Sequence, residues 1–276
     1  MYTINCKGKL LVIDQPWVMG IINATPDSFF EGHLSKKMDS IVAMAGTMLA
    51  DGATILDIGG QSTKPGSKKI SAAEEINRVI PVIKAIAQQF PEAIISVDTF
   101  YSAVAIAAIK AGASIVNDIS GGTMDQYMLN VVADLNTPFI CMHMQGTPET
   151  MQQQTVYQNV VTDVLDYLSR RVDNCRKAGI KDVIVDPGFG FGKTIQQNFH
   201  LLKNLSAFTI LDSPILVGLS RKSTIYKTLY LTAADALNGT TSLNTIALLN
   251  GASILRVHDV KEAWQAVQLV EAYKKG

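Results

Sequence analysis

The stretch AIISVDTFYSAVAIAAIKAGASIVND, residues 93–118, carries the unit from which the fold is read. AIISVD (93–98) is apolar on both faces and stops at a carboxylate. That is the pattern of a buried parallel strand rather than a half-solvated antiparallel one. FYSAVAIAAIKAGA (100–113) follows with a helical pattern, and Gly112 is placed to end that helix. SIVND (114–118) is then a second strand.

The same unit recurs on both sides. WVMGIIN (17–23), ATILDIG (53–59), TPFICMH (137–143), DVIVDP (182–187), PILVGLS (214–220) and SILRVHD (253–259) complete a set of eight strand-like runs. Helical patterns cover 36–51, 71–89, 124–135, 155–178, 196–205, 242–250 and 260–275. The pattern at 71–89 opens with Ser71 and Glu74 in capping-box spacing. Small-residue junctions (ADGAT, KAGAS, KAGIKD, LNGAS) precede several strands. Eight strands alternating with helices predict one (β/α)8 barrel domain over residues 1–276. An open doubly wound sheet fits less well, since no GxGxxG follows the first run. The first fifteen residues suit a short hairpin that plugs the barrel bottom.

Composition narrows the function. The chain has 276 residues, 47% of them apolar, with 24 Lys plus Arg against 24 Asp plus Glu. Zero net charge speaks against a nucleic-acid binder that works through bulk charge. Cys6, Cys141 and Cys175 form no CxxC pair, which excludes a disulfide framework or zinc ribbon and suits a reducing cytoplasm. The N-terminus lacks the pattern of a signal peptide, and no run approaches the roughly 18 apolar residues of a membrane helix.

Barrel active sites lie at the C-terminal ends of the strands. Those ends carry Asn23, Asp57, Asp98, Asn117, His143, Asp186, then Ser220 with Arg221 and Lys222, and finally Arg256 and His258. Any single Asp there is as readily a cap or loop staple. The whole set on one rim predicts a polar binding site. Asp98, Asn117 and Asp186 suit a flat heterocycle rich in N–H donors at the barrel floor. Lys222, Arg256 and His258 offer donors and positive charge that suit phosphate at the mouth. The loops TPDSFFEGHLSKK (25–37) and GGQSTKPGSKKI (59–70) are long and read as lids, with Phe29 and Phe30 as covering side chains.

Other readings fall away. PGFGFGKT (187–194) lacks the first Gly of a Walker loop, because Pro187 stands there. GLSRK (218–222) lacks the final Gly of a nucleophile elbow, because Lys222 stands there. His33 and His200 have no partner at metal-ligand spacing. The methionines of 38–48 read as helix core, and Cys141 as a packed, inert thiol.

Taken together, MGIINATPDSF (19–29), LDIGGQSTKPG (56–66), SVDT (96–99), NDISGG (117–122), MHMQGTPETMQ (142–152), VDPGFGFGKT (185–194), GLSRKS (218–223) and LRVHDV (255–260) resemble the dihydropteroate synthases, a family of pterin-binding barrel enzymes. The resemblance runs from Val18 to about Val260. It implies a transferase of folate synthesis that joins 6-hydroxymethyl-7,8-dihydropterin diphosphate to p-aminobenzoate, is inhibited by sulfonamides and is commonly a homodimer. By resemblance, Asp98, Asn117, Asp186, Gly218 and Lys222 hold the pterin, with Asp98, Asp186, Lys222 and Arg256 as the catalytic set. Asn23, Thr63, Arg256 and His258 match the diphosphate site, and Asn23 the magnesium contact. Thr63, Pro65, Phe191, Lys222 and Ser223 match the p-aminobenzoate pocket. The family usually has Glu and Arg where this chain has Gln61 and Lys64. A methyltransferase using methyltetrahydrofolate on the same barrel is the alternative enzyme. Arg256-x-His258 and the STKPG loop favour the synthase, which has a diphosphate to bind. A non-catalytic pterin-binding protein would predict erosion of Asn23, Lys222 or Arg256, and none is eroded.

Overall fold

The computed structural model describes residues 1–24, 34–62 and 66–276, with only the backbone described at 34–37 and 152. The chain opens with an antiparallel hairpin, β1 (Tyr2–Cys6) against β2 (Lys9–Ile13), whose register pairs Tyr2 with Ile13. Eight parallel strands follow: β3 (Trp17–Asn23), β4 (Ile55–Gly59), β5 (Ile94–Asp98), β6 (Ile115–Asp118), β7 (Phe139–Met142), β8 (Val183–Asp186), β9 (Leu216–Val217) and β10 (Ile254–Val257). Their order is β8-β7-β6-β5-β4-β3-β10-β9. A parallel bridge from Val185 to Ile215, just ahead of β9, brings the two ends together. The barrel and the hairpin are therefore as the sequence predicts.

Nine helices surround the barrel among the described residues: α1 (Leu34–Ala50), α2 (Ala72–Gln89), α3 (Ser102–Ala111), α4 (Met128–Asp134), α5 (Val160–Ala178), α6 (Ile195–Lys203), α7 (Ser223–Thr228), α8 (Leu237–Leu249) and α9 (Val260–Lys275). Local chemistry sets several ends. Gly112 closes α3 at φ +127, and a Cβ there would meet Ala87 Cβ at 2.8 Å. Helix α5 starts later than the expected 155, because the Asn159 side chain accepts from Val161 N–H at 3.0 Å and caps it there. The capping box at α2 is half formed. Ser71 accepts from Glu74 N–H at 3.2 Å, while the Glu74 carboxylate turns instead to Arg78. A complete box forms at α6 between Thr194 and Gln197.

The seventh strand differs most from expectation. Only Leu216–Val217 pair as strand, not 214–220. After the non-helical stretch 218–222 comes α7, which the sequence pattern missed, and α8 begins at Leu237, before 242. Met44 is exposed while Met48 packs in the core, so the methionines of α1 are only partly core.

Strand alternation divides the interior. One parity faces the helices and forms the outer core, with Val18, Leu56, Ile95, Val97, Val116, Val185, Val217 and Leu255 among its members. The other parity faces inward. At the bottom it supplies Met19, Ile55, Ile115, Ile140, Ile184, Leu216 and Ile254, and the hairpin's Ile4, Cys6 and Ile13 pack on this layer and seal it. Two residues further along the same inward rows come Asp57, Asn117, Asp186 and Arg256. The alternation that fills the floor with apolar side chains therefore aims these polar ones into the upper barrel. No helix among the described residues is long and apolar enough to cross a membrane.

Candidate functional site

Arg256 is the hub of that upper layer. Its Nε donates to Asp57 Oδ2 at 2.7 Å, and its second guanidinium arm donates to Asp98 Oδ2 at 2.6 Å. Asn117 Nδ2 donates to the same Asp57 oxygen at 3.1 Å. Asp98 and Asn117 lie side by side in the β5–β6 register. Asp57 is fully buried, and its Oδ1 has no hydrogen-bond partner among the described residues. An unpaired buried carboxylate oxygen is costly, so this site is organised for something more than stability. Asp57 stands among the strand-end residues but outside the sequence-derived site set. Its position two residues past inward-facing Ile55 is the signal that finds it.

Burial is the largest influence on Asp98 and pushes its carboxyl up to about 7, with Arg256 pulling down and Asp57 pushing up. Burial likewise raises Asp186, against the pull of Lys222 and of a 2.7 Å bond from Gly188 N–H. Burial works against the charge of Arg256, but Asp57 and Asp98 outweigh it and hold the guanidinium protonated. The expected split of carboxylates at the floor and cations at the mouth is thus corrected: Arg256 sits among the carboxylates.

Lys222 donates to the carbonyl of Phe189, and its Nζ lies 4.8 Å from the centre of the Phe191 ring. Burial lowers it to about 8. Gly218 faces this group: a Cβ there would lie 3.8 Å from Lys222 Nζ and 3.9 Å from Arg256 Cβ. Ser223 follows as the first residue of α7. Arg221, by contrast, belongs to the scaffold. It sits at φ +54 and grips Asp259 through two bonds of 2.9 and 2.7 Å.

His258 stands exposed at the rim, where partial burial of its ring and then Arg256 lower it to about 4. Ser220 Oγ accepts from the His258 backbone N–H at 3.2 Å and lies 3.0 Å from Nδ1. With the hydroxyl donating to Nδ1, the ring proton stays on Nε2. Asn23 ends β3 at the exposed rim. Thr63, Lys64 and Pro65, and the loop holding Phe29, Phe30 and His33, lie outside the described residues. Gln61 accepts from Ile70 N–H at 2.9 Å, so it staples the base of the second loop where the family usually has Glu.

One residue group escaped sequence reasoning. Lys193, in the rejected Walker-like stretch, is buried beside His143. Cys141 and Cys175 are both buried, and the hydrogen bond between them, with burial, raises the Cys141 thiol and holds it protonated.

Fold and site together define a (β/α)8 barrel enzyme whose upper interior is built for a polar, partly anionic ligand. The pterin binding enzyme family model matches residues 19–258. The dihydropteroate synthase of Escherichia coli K12 is 43% identical over 268 residues, covering 96% of this chain and 94% of that one. A Yersinia pestis dihydropteroate synthase crystallised with a sulfonamide drug complex superposes with a TM-score of 0.93 at 39% identity, covering 100% of both chains. A Xanthomonas albilineans dihydropteroate synthase in complex with 7,8-dihydropteroate does so at 0.89 and 36%, again covering both chains in full. The chain belongs to the pterin binding enzymes, in their dihydropteroate synthase branch.

Proposed function

We propose that the protein condenses 6-hydroxymethyl-7,8-dihydropterin diphosphate with p-aminobenzoate, giving 7,8-dihydropteroate and diphosphate. The observation that carries this reading is the buried inward layer of Asp57, Asp98, Asn117 and Asp186 bordered by Arg256. Acceptors in that layer match the N–H groups of a pterin ring, and the guanidinium matches an anion attached to it. The product-bound and sulfonamide-bound relatives support the same substrates.

In this mechanism Asp98, Asn117, Asp186 and Lys222 orient the pterin, with Gly218 leaving room beside them. Arg256 leaves part of its bonding to the carboxylates and takes up the diphosphate, joined by the Nε2–H of His258 and by Asn23 and Thr63. The exocyclic C–O bond breaks, diphosphate leaves, and the methylene becomes cationic. Asp98 and Asp186 stabilise that charge in a dry interior, where fixed charges act strongly. The p-aminobenzoate amine, on a substrate held by Phe191, Lys222, Ser223, Thr63 and Pro65, forms the new C–N bond to the methylene and then gives up its proton to solvent. No side-chain nucleophile enters.

Asn23 offers one hard amide oxygen at the rim, which suits a magnesium ion carried in mainly by phosphate oxygens and water. Such an ion, when bound, would help neutralise charge on the leaving diphosphate. We further propose a cytoplasmic homodimer. Three free cysteines support the compartment, and exposed Ile246, Leu249, Leu269 and Tyr273 on the mutually packed α8 and α9 support the second copy.

Incubation with the pterin diphosphate, p-aminobenzoate and magnesium is expected to yield dihydropteroate and diphosphate together; release of neither overturns the reading. A sulfonamide is expected to raise the KM for p-aminobenzoate without lowering kcat. Inhibition competitive only with the pterin would contradict the pocket assignment.

The pH profile follows from the two titrating groups. The reaction needs Asp98 ionised and Lys222 protonated. A plot of kcat/KM for the pterin substrate against pH is expected to be bell-shaped, with an acid limb near pH 7 and a basic limb near pH 8. Asp98→Asn should abolish the acid limb along with most activity; an unchanged limb would assign it elsewhere.

A further inference from the structure

Lys193 is a buried lysine, lowered to about 7 by burial, and among the described residues no carboxylate lies at bonding distance from its Nζ. Its Nζ lies 2.9 Å from His143 Nδ1, 2.8 Å from the Gly188 carbonyl and 3.1 Å from the Phe191 carbonyl. Those three acceptors use all three protons of an ammonium group. The imidazole beside it is neutral, since burial and then Lys193 lower it to about 2, so Nδ1 is free to accept. His143 is itself fixed, its ring edge-on to Tyr167 with centroids 4.8 Å apart.

The two carbonyls bracket the arc 188–191. That arc presents the Phe189 carbonyl to Lys222 and the Phe191 ring to the Lys222 ammonium. Its other end is held independently. Asn198 Oδ1 accepts from Gly190 N–H at 2.7 Å, and Tyr157 donates to the Gly192 carbonyl at 2.9 Å. A methionine at 193 would fill the same space but take this donor from the Phe191 carbonyl and His143 Nδ1, and leave the Gly188 carbonyl with the Phe191 N–H at 3.2 Å.

We propose that Lys193 is a positioning residue for p-aminobenzoate, setting through the Gly188 and Phe191 carbonyls where the Phe191 ring and the Lys222 ammonium stand. The proposal rests on the reading of Phe191 and Lys222 as the edge of that pocket. Its effect falls mainly on p-aminobenzoate: the pterin-facing Asp57, Asp98 and Asn117 are on β4, β5 and β6 and none of them bonds Lys193, Asp186 keeps its own bond from Gly188 N–H, and Lys222 is the group the two substrates share.

The test uses the whole chain with Lys193→Met, and with Lys193→Gln, which retains two N–H donors. Initial rates give KM for each substrate, and titration with 6-hydroxymethylpterin gives pterin affinity directly. For Lys193→Met the KM for p-aminobenzoate is expected to rise about tenfold or more, with kcat and pterin affinity each within about threefold of the parent. Lys193→Gln should recover about half of that loss on a logarithmic scale, and it decides alone if the methionine variant does not fold. A KM within about twofold of the parent in the folded variants, or an equal fall in pterin affinity, overturns the proposal. Failure of the parent chain itself to use p-aminobenzoate would instead overturn the pocket reading beneath it.

Discussion

Replacing Arg256 with alanine will lower kcat/KM for the pterin diphosphate by about a thousandfold or more, while affinity for a bare hydroxymethylpterin falls less than about tenfold. Arg256 is the one cation that reaches both Asp57 and Asp98 in the upper barrel among the described residues. A diphosphate needs that charge as it leaves, and a bare pterin does not. Equal losses for the two ligands would show that Arg256 serves the ring alone. Stability will change as well. Removing the guanidinium leaves buried carboxylates uncompensated, which costs about 3 kcal/mol. The sign of its pH dependence follows from Asp98. A carboxyl whose folded pKa lies above its unfolded value binds more protons when folded, so its contribution is present at acid pH and fades as pH rises through the folded pKa. In the parent that loss runs from about pH 4 to about 7. Without Arg256 the Asp98 carboxyl rises further and the loss continues to higher pH. Thermal melts at pH 5 and pH 8 will therefore separate more in Arg256→Ala than in the parent; equal separation would contradict the pairing.

Gly188→Ala will be comparably damaging through backbone geometry. Gly188 sits at φ +70, and a Cβ built there would lie 1.9 Å from the His143 carbonyl oxygen. Neither group is the end of a flexible side chain: His143 N–H is itself bonded to the Asp186 carbonyl at 2.9 Å. Strain at positive φ and overpacking together will cost about 4 kcal/mol, seen as a fall of about 10 °C in Tm. The fraction that folds will also bind p-aminobenzoate poorly, because the same residue presents N–H to Asp186 and carbonyl to Lys193. A melting temperature within about 2 °C of the parent would refute the close approach.

Much of the barrel was legible because its signals are local. Apolar runs on both faces, small-residue junctions such as KAGAS and the cap at Gly112 are properties of a few neighbouring residues. Asp98, Asn117, Asp186 and Arg256 were legible for a related reason: each stands at a strand end with the parity of an apolar floor residue. The short β9 and α7 were not, because PILVGLS is apolar throughout and only its neighbours decide where pairing stops. Glu74 had the spacing of a capping box, yet Arg78 one turn on competes for the same carboxylate.

The equal count of 24 cations and 24 anions illustrates the division. By itself the sequence determined the strand–helix order, the inward polar residues and, through its eight motifs, the pterin-binding family. Only the tertiary structure decided which charges meet. Arg221 and Arg256 look alike on the chain, but one locks Asp259 and the other spans Asp57 and Asp98. Arg256 and Asp57 are 199 positions apart, and Lys193 and His143 are 50 apart. Such pairs depend on barrel closure and strand register, which bring distant strand ends within bonding distance, and on burial, which makes each contact strong. Local pattern carries neither.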